Sequence, residues 1–185
     1  MRLAAKFVAL LLGSLAQIAI ASEVGCNAIT ELQGEETAGC KCGSELAKFS
    51  VTAPRGMKLL AACNARKVHG SWEGGFYFKG AFVQSGTVKR EFNELFGDSL
   101  WFSSENETGY SELASAIHSL KFWDDPVAIK KFDAPAPTDK VMCWTTESKI
   151  EVKLLYVLAG GTDEAGSYPK KFRVISRGKY RPCDR

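Results

Sequence analysis

Four groups of residues in this 185-residue chain have types and spacings that chemistry uses. Ser99 follows Gly97-Asp98 and is set among aromatic residues, as a serine nucleophile on a tight turn would be. A serine attacks only when a neighbouring base takes its proton, and the chain has two histidines, His69 and His118. No paired-carboxylate motif accompanies either one, so no general acid–base set can be assembled. Cys40-Lys41-Cys42 has the look of a soft-metal or redox site. Redox dithiols prefer two intervening residues, however, and no histidine or methionine stands near enough in sequence to complete a metal set. The last group is cationic. Lys170, Lys171, Arg173, Arg177, Lys179, Arg181 and Arg185 face only Asp184, with Tyr168 and Tyr180 interleaved. On one strand, Lys171, Arg173 and Arg177 share a face that suits an anionic glycan, a lipid headgroup or a nucleic acid strand. The plainer reading is a solvated face that keeps a sheet edge from aggregating.

Two short stretches resemble known families. Leu95-Phe96-Gly97-Asp98-Ser99-Leu100 resembles the nucleophile block of GDSL-type esterases. The resemblance implies Ser99 as nucleophile, with an Asp-x-x-His block downstream as base. The only downstream histidine stands in Ser115-Ala116-Ile117-His118, with serine where aspartate is required, and no Gly-x-Asn-Asp block occurs. A serine hydrolase at Ser99 is therefore the remotest reading, and a Gly-Asp turn entering a strand the nearer one. Phe78-Lys79-Gly80 with Val83 is similar to a strand of the periplasmic C-type lysozyme inhibitors, a likeness that transfers no residue role.

The N-terminus indicates where the protein works. Met1 to Lys6 is short and basic, Phe7 to Ile20 is almost wholly apolar, and Ala19-Ile20-Ala21 precedes Ser22. This is the pattern of a cleaved secretory signal peptide over residues 1–21, too short and too interrupted by Gln17 for a bilayer span. A single domain over 22–185, secreted or periplasmic and with no membrane span, is the expectation. Arg2 and Lys6 leave with the signal, so 24 − 2 = 22 basic residues face 21 acidic ones and no global attraction to polyanions follows.

Six cysteines remain: Cys26, Cys40, Cys42, Cys63, Cys143 and Cys183. An even count after an export signal predicts three disulfides. Cys40–Cys42 would close a strained ring over one residue, which leaves Cys26 with one of that pair and Cys63 with the other. Cys143–Cys183 then ties the C-terminal tail to an interior strand.

The elements that must position these groups are mostly strands. Residues 22–45 read as a disulfide-held loop, Ala47–Thr52 as a strand, and Met57–Cys63 as a strand or short helix. Asn64–Gly75 reads as a polar loop that presents His69 and Trp72. Phe76, Phe78, Gly80 and Phe82 alternate with Tyr77, Lys79, Ala81 and Val83, a two-faced strand that Ser85-Gly86 should end. A second strand runs over Thr87–Phe92 and a third over Ser99–Ser103. Ser111–Leu120 carries an apolar stripe at helical spacing, and Asp125-Pro126 opens a short helix or a strand reaching Phe132. Lys149–Leu158 alternates with Ile150, Val152, Leu154, Tyr156 and Leu158 inward, and Lys170–Lys179 alternates with Phe172 and Val174 inward.

The sum is a mainly β fold, with α+β admitted: an antiparallel sheet or small OB-like barrel, one or two short helices, stapled by disulfides. A non-catalytic binding or inhibitor-type protein is the expected function, with a polyanion-binding module on the basic strand as the alternative. The expected binding residues are Trp72, Tyr77, Lys171, Arg173 and Arg177. No metal or cofactor is implied, and the expected partner is an extracytoplasmic protein or an anionic ligand.

Overall fold

The structure is a computed structural model, and it describes residues 26–32, 35, 37–94, 97–104, 119–160 and 164–183. The expected signal peptide, His118, and residues 111–118 of the expected helix lie outside them. Among these residues eight strands form one sheet: β1 (Cys40–Cys42), β2 (Met57–Val68), β3 (Ser71–Asn93), β4 (Gly97–Ser104), β5 (Ser119–Trp123), β6 (Cys143–Ala159), β7 (Gly166–Arg177) and β8 (Arg181–Pro182). Among the described residues one α-helix, α1 (Pro126–Phe132), links β5 to β6.

β3 is the longest strand, at 23 residues, and organises the rest. Along one edge it pairs with β6 from Gly74 to Glu91, and along the other with β2 and then β4. β4 pairs with β5, β5 with β7, and β7 with β6, so hydrogen bonding passes through five strands and returns to β3. All of these pairings are antiparallel except β5–β7, a parallel link made at Leu120 and Ser167. An open sheet and an OB-like barrel of this strand order differ in that one link.

Alternation explains the length of β3. Phe76, Phe78, Phe82, Gln84, Gly86, Val88 and Arg90 are all buried on the core face. The expected turn at Ser85-Gly86 does not occur. A Cβ at Gly86 would lie 2.1 Å from the carbonyl oxygen of Ser103 and 2.9 Å from the Phe102 ring, so glycine serves close strand approach here. The expected loop over Asn64–Gly75 shrinks to the turn His69-Gly70, with β2 and β3 running up to it on either side. Ala47–Thr52 is not a strand either. Gly43–Lys48 forms 3-10 turns, and Phe49 and Val51 then lean on the core. Leu120, placed above at the end of a helix, lies in β5.

The helix α1 is specified locally. Asp125 accepts a hydrogen bond from the Val127 amide at 2.8 Å, and Pro126 fills the first turn, where no amide is needed. Asp133 ends it in a left-handed conformation. Its buried Phe132 packs against Phe122 and Phe172 with ring centroids 5.3 and 5.7 Å away.

The described residues ahead of β1 pack through Cys26 and Leu32 against Ala61, Cys63 and Tyr77 on the outer face of β2 and β3, and β1 itself pairs with the edge of β2. Disulfides Cys26–Cys42 and Cys40–Cys63 hold them there, and Cys143–Cys183 ties the tail to β6 as expected. Under this N-terminal segment a small second cluster forms from Leu32, Ala61, Cys63 and Tyr77, separate from the main core.

Candidate functional site

A register shift in β6 builds a concave surface on the outer face of the sheet. Up to Val152 the even-numbered side chains of β6 face the core; Lys153 then stands alone opposite two β3 residues, Gly80 and Ala81, and is the extra residue against Lys171 and Phe172 of β7. Beyond it Leu155 and Val157 point to the core and are fully buried. An extra residue exchanges the faces of everything that follows. Tyr156, expected inward, is thereby turned to the outer face. It lands between Tyr77 on β3 and Tyr168 on β7, its direct partners in register. The ring centroids are 4.7 and 6.1 Å apart, with interplanar angles of 34° and 35°. The three tyrosines form one aromatic wall across three strands.

Gly75 makes room for that wall. A Cβ there would lie 2.6 Å from the Tyr156 ring, so any side chain would push the ring away. The wall's two charged neighbours come from opposite ends of the chain. Lys170 Nζ lies 3.1 Å from Glu35 Oε2 and 5.8 Å from the Tyr156 ring centroid. The Tyr77 hydroxyl donates to the same Glu35 oxygen at 3.4 Å. Burial, reinforced by the Glu35 carboxylate, pushes the Tyr77 phenol well above its ordinary range, and burial likewise raises Tyr156. Both rings therefore remain uncharged hydrogen-bonding groups at any physiological pH. Between them, Gly74, Gly75, Asn64 and Leu158 lies a hollow of about 340 Å³. A second hollow of about 740 Å³ shares Asn64, Gly74 and Leu158 with it and extends towards Arg66, Glu73 and Glu164. Volumes of this order suit small ligands.

The expected binding residues fall in three places. Tyr77 is in the wall. Trp72 is not on a loop: it lies in β3, 8% exposed, against Phe49 and Phe76, because the even face of β3 is the core face. Lys171, Arg173 and Arg177 do project outward from β7, but the two arginines are paired with carboxylates. Arg173 bonds Glu151 at 2.6 Å, Arg177 bonds Asp133 at 3.0 Å, and Lys171 is close enough to Glu31 to lower its carboxyl. Paired charges leave little free potential for a polyanion. Ser99 is 2% exposed on β4, its hydroxyl donated to the Glu91 carbonyl at 3.3 Å, and Asp98 is held by Arg90. His69 sits exposed in the β2–β3 turn.

Tyr156, Tyr168, Glu35 and Lys170 were not singled out as site residues by sequence. Tyr168 and Lys170 did stand out in composition, in the basic and aromatic C-terminal run. Tyr156 was hidden because the strand pattern reads straight through the bulge. Among the described residues no group of three or more His, Cys, Asp and Glu is placed to hold a metal, and all six cysteines are in disulfides. No helix among them is long and apolar enough to cross a membrane. In comparisons with family models, curated proteins and solved structures, nothing matches this chain.

The segment over the outer face is tethered by charge as well as by disulfides, with Glu31 bonded to Lys79 and Glu35 to Lys170. The hydrogen bond from Lys79 is the main reason the Glu31 carboxyl is held below its usual value of 4.5. A depressed carboxylate contributes stability above its unfolded pKa and loses it as pH falls through the folded one. Amide exchange in residues 26–42, after correction for intrinsic rates, is therefore expected to speed up between about pH 5 and pH 3 more than in β3. Equal acceleration in both segments would show that the tether contributes nothing.

Proposed function

We propose that the protein is an exported, non-catalytic binding protein that takes its ligand in the tyrosine cleft between the 26–42 segment and strands β3, β6 and β7. The observation that carries this reading is the wall of Tyr77, Tyr156 and Tyr168, two of its rings lining a hollow beside Glu35 and Lys170. Concave sites with apolar walls and a few convergent polar groups are the usual form of ligand sites. Export is supported by the signal-like N-terminus together with three disulfides, which persist in oxidising compartments. The alternative of a polyanion module on β7 is weakened by the acidic partners of Arg173 and Arg177. The hydrolase reading has a buried Ser99 whose hydroxyl is donated to a backbone carbonyl.

Capture experiments separate these readings. The oxidised protein, immobilised and exposed to extracytoplasmic extract, is expected to retain a ligand that Tyr156→Ala loses. The triple change of Lys171, Arg173 and Arg177 to glutamate should retain it. Loss with the triple change and retention with Tyr156→Ala would move the site to β7.

A further inference from the structure

The chemistry of this cleft specifies its ligand class further, granted that the cleft is the binding site. We propose that it holds a neutral oligosaccharide, one pyranose ring lying on the face of Tyr156 and the next unit continuing along the adjoining hollow.

Three observations point to a sugar. A pyranose has an apolar C–H face and a polar edge, so it seeks a flat aromatic surface bordered by mixed donors and acceptors. Tyr156 offers such a surface, backed by Gly75 and flanked by Tyr77. Glu35 supplies an acceptor, Lys170 a donor and Asn64 both, all lining the same hollow. The second observation is charge balance. Lys170 is paired with Glu35 at 3.1 Å and Arg66 with Glu73 at 2.9 Å, so both cations lining the hollows are matched and, among the described residues, only the Glu164 carboxylate lacks an ion-pair partner, which leaves no free cation to select an anion. An anionic chain would have to compete with those carboxylates, and a cationic one with those amines. The third is length. The two hollows share Asn64, Gly74 and Leu158 as lining residues and measure about 340 and 740 Å³, more room together than a single ring needs. Rings that stack on aromatic side chains tolerate variation in linkage, because the stacking face is common to many sugars.

The test is an NMR titration of the labelled, oxidised protein with cello-, malto- and chito-oligosaccharides, and with a sulfated oligosaccharide as the charged comparison. With at least one neutral chain, saturable shifts are expected at the amides of Gly74, Gly75 and Leu158. They should be little altered between about 0.05 and about 0.5 M salt. Tyr156→Ala should weaken that binding about tenfold, and Tyr156→Phe, which keeps the ring, by less than about threefold. Glu35→Gln lies outside the sheet and should weaken binding without a change in strand spectra, which covers the case in which Tyr156→Ala fails to fold. No saturable shift with any neutral chain, or shifts confined to the sulfated one and abolished by salt, overturns the proposal. A Tyr156-dependent protein or peptide captured from extract, with no response to any sugar, overturns the sugar while leaving the cleft as the binding site. Failure of both capture and titration overturns both.

Discussion

Phe132→Ala is expected to lower the unfolding free energy by about 3–5 kcal/mol, the usual range for deleting a buried phenylalanine. The residue is fully buried, and its ring joins Phe122 and Phe172 where α1 and the sheet share a core. A seven-residue helix has little stability of its own, so α1 persists only through what it buries, and Phe132 is the larger of its two buried side chains. The loss would spread. Lys131 lies over the Phe172 ring and donates to the Phe172 carbonyl at 3.0 Å, while the Tyr180 hydroxyl donates to the Phe132 carbonyl at 3.2 Å. Urea unfolding should show a lower midpoint at an unchanged slope. Phe132→Leu, which keeps most of the volume, should cost less than about 1.5 kcal/mol. An alanine variant within about 1 kcal/mol of the native protein would mean that α1 does not close this core.

How far sequence alone reaches is visible in β3 and β6. The alternation of β3 groups Phe76, Phe78 and Phe82 on one face, as the structure does, because a two-residue period is a local property. What misleads is glycine. Gly86 looks like a turn in sequence, yet it is an in-strand residue whose neighbour across β4 leaves no space for a side chain. Whether a glycine marks a bend or a close approach depends on the partner strand, which local sequence does not name. The bulge at Lys153 is hidden for the same reason. It arises where β6 must match β3 on one side and β7 on the other, and both registers slip there. The candidate site depends on that slip, so Tyr156 could not be assigned to the outer face from its own strand. The cysteines were more legible. Exclusion of Cys40–Cys42 left two arrangements of the first four, and the structure selects Cys26–Cys42 with Cys40–Cys63. Trp72 shows the reverse error: a tryptophan among glycines and charges reads as a displayed loop, but the two-residue β-turn at His69-Gly70 puts it on the core face.

Asp98→Ala should cost about 2–3 kcal/mol, more than the exposure of Asp98 suggests, because of what it leaves behind. Arg90 points to the core face of β3 and is 7% exposed. Its guanidinium grips Asp98 through two nitrogens, Nε at 3.0 Å from one carboxylate oxygen, and also donates to the Ala134 carbonyl just past α1. Removing the carboxylate leaves a charge that is nearly out of water with only a carbonyl to meet it. The two side chains sit diagonally across the β3–β4 pairing, so the ion pair also fixes the register that places Ser99 opposite Glu91. The Gly97-Asp98-Ser99 string thus carries an internal contrast. Ser99→Ala forfeits one hydrogen bond to a carbonyl and should cost about 1 kcal/mol or less, whereas its neighbour supports a buried cation. Replacing the pair together, as Arg90→Met with Asp98→Leu, should be milder than Asp98→Ala alone, since buried ion pairs can be exchanged for apolar groups at little cost. Thermal or urea unfolding of the three variants decides it. If the double change is the most damaging of the three, the stabilisation lies in the ion pair itself; if Asp98→Ala is, it lies in not stranding Arg90.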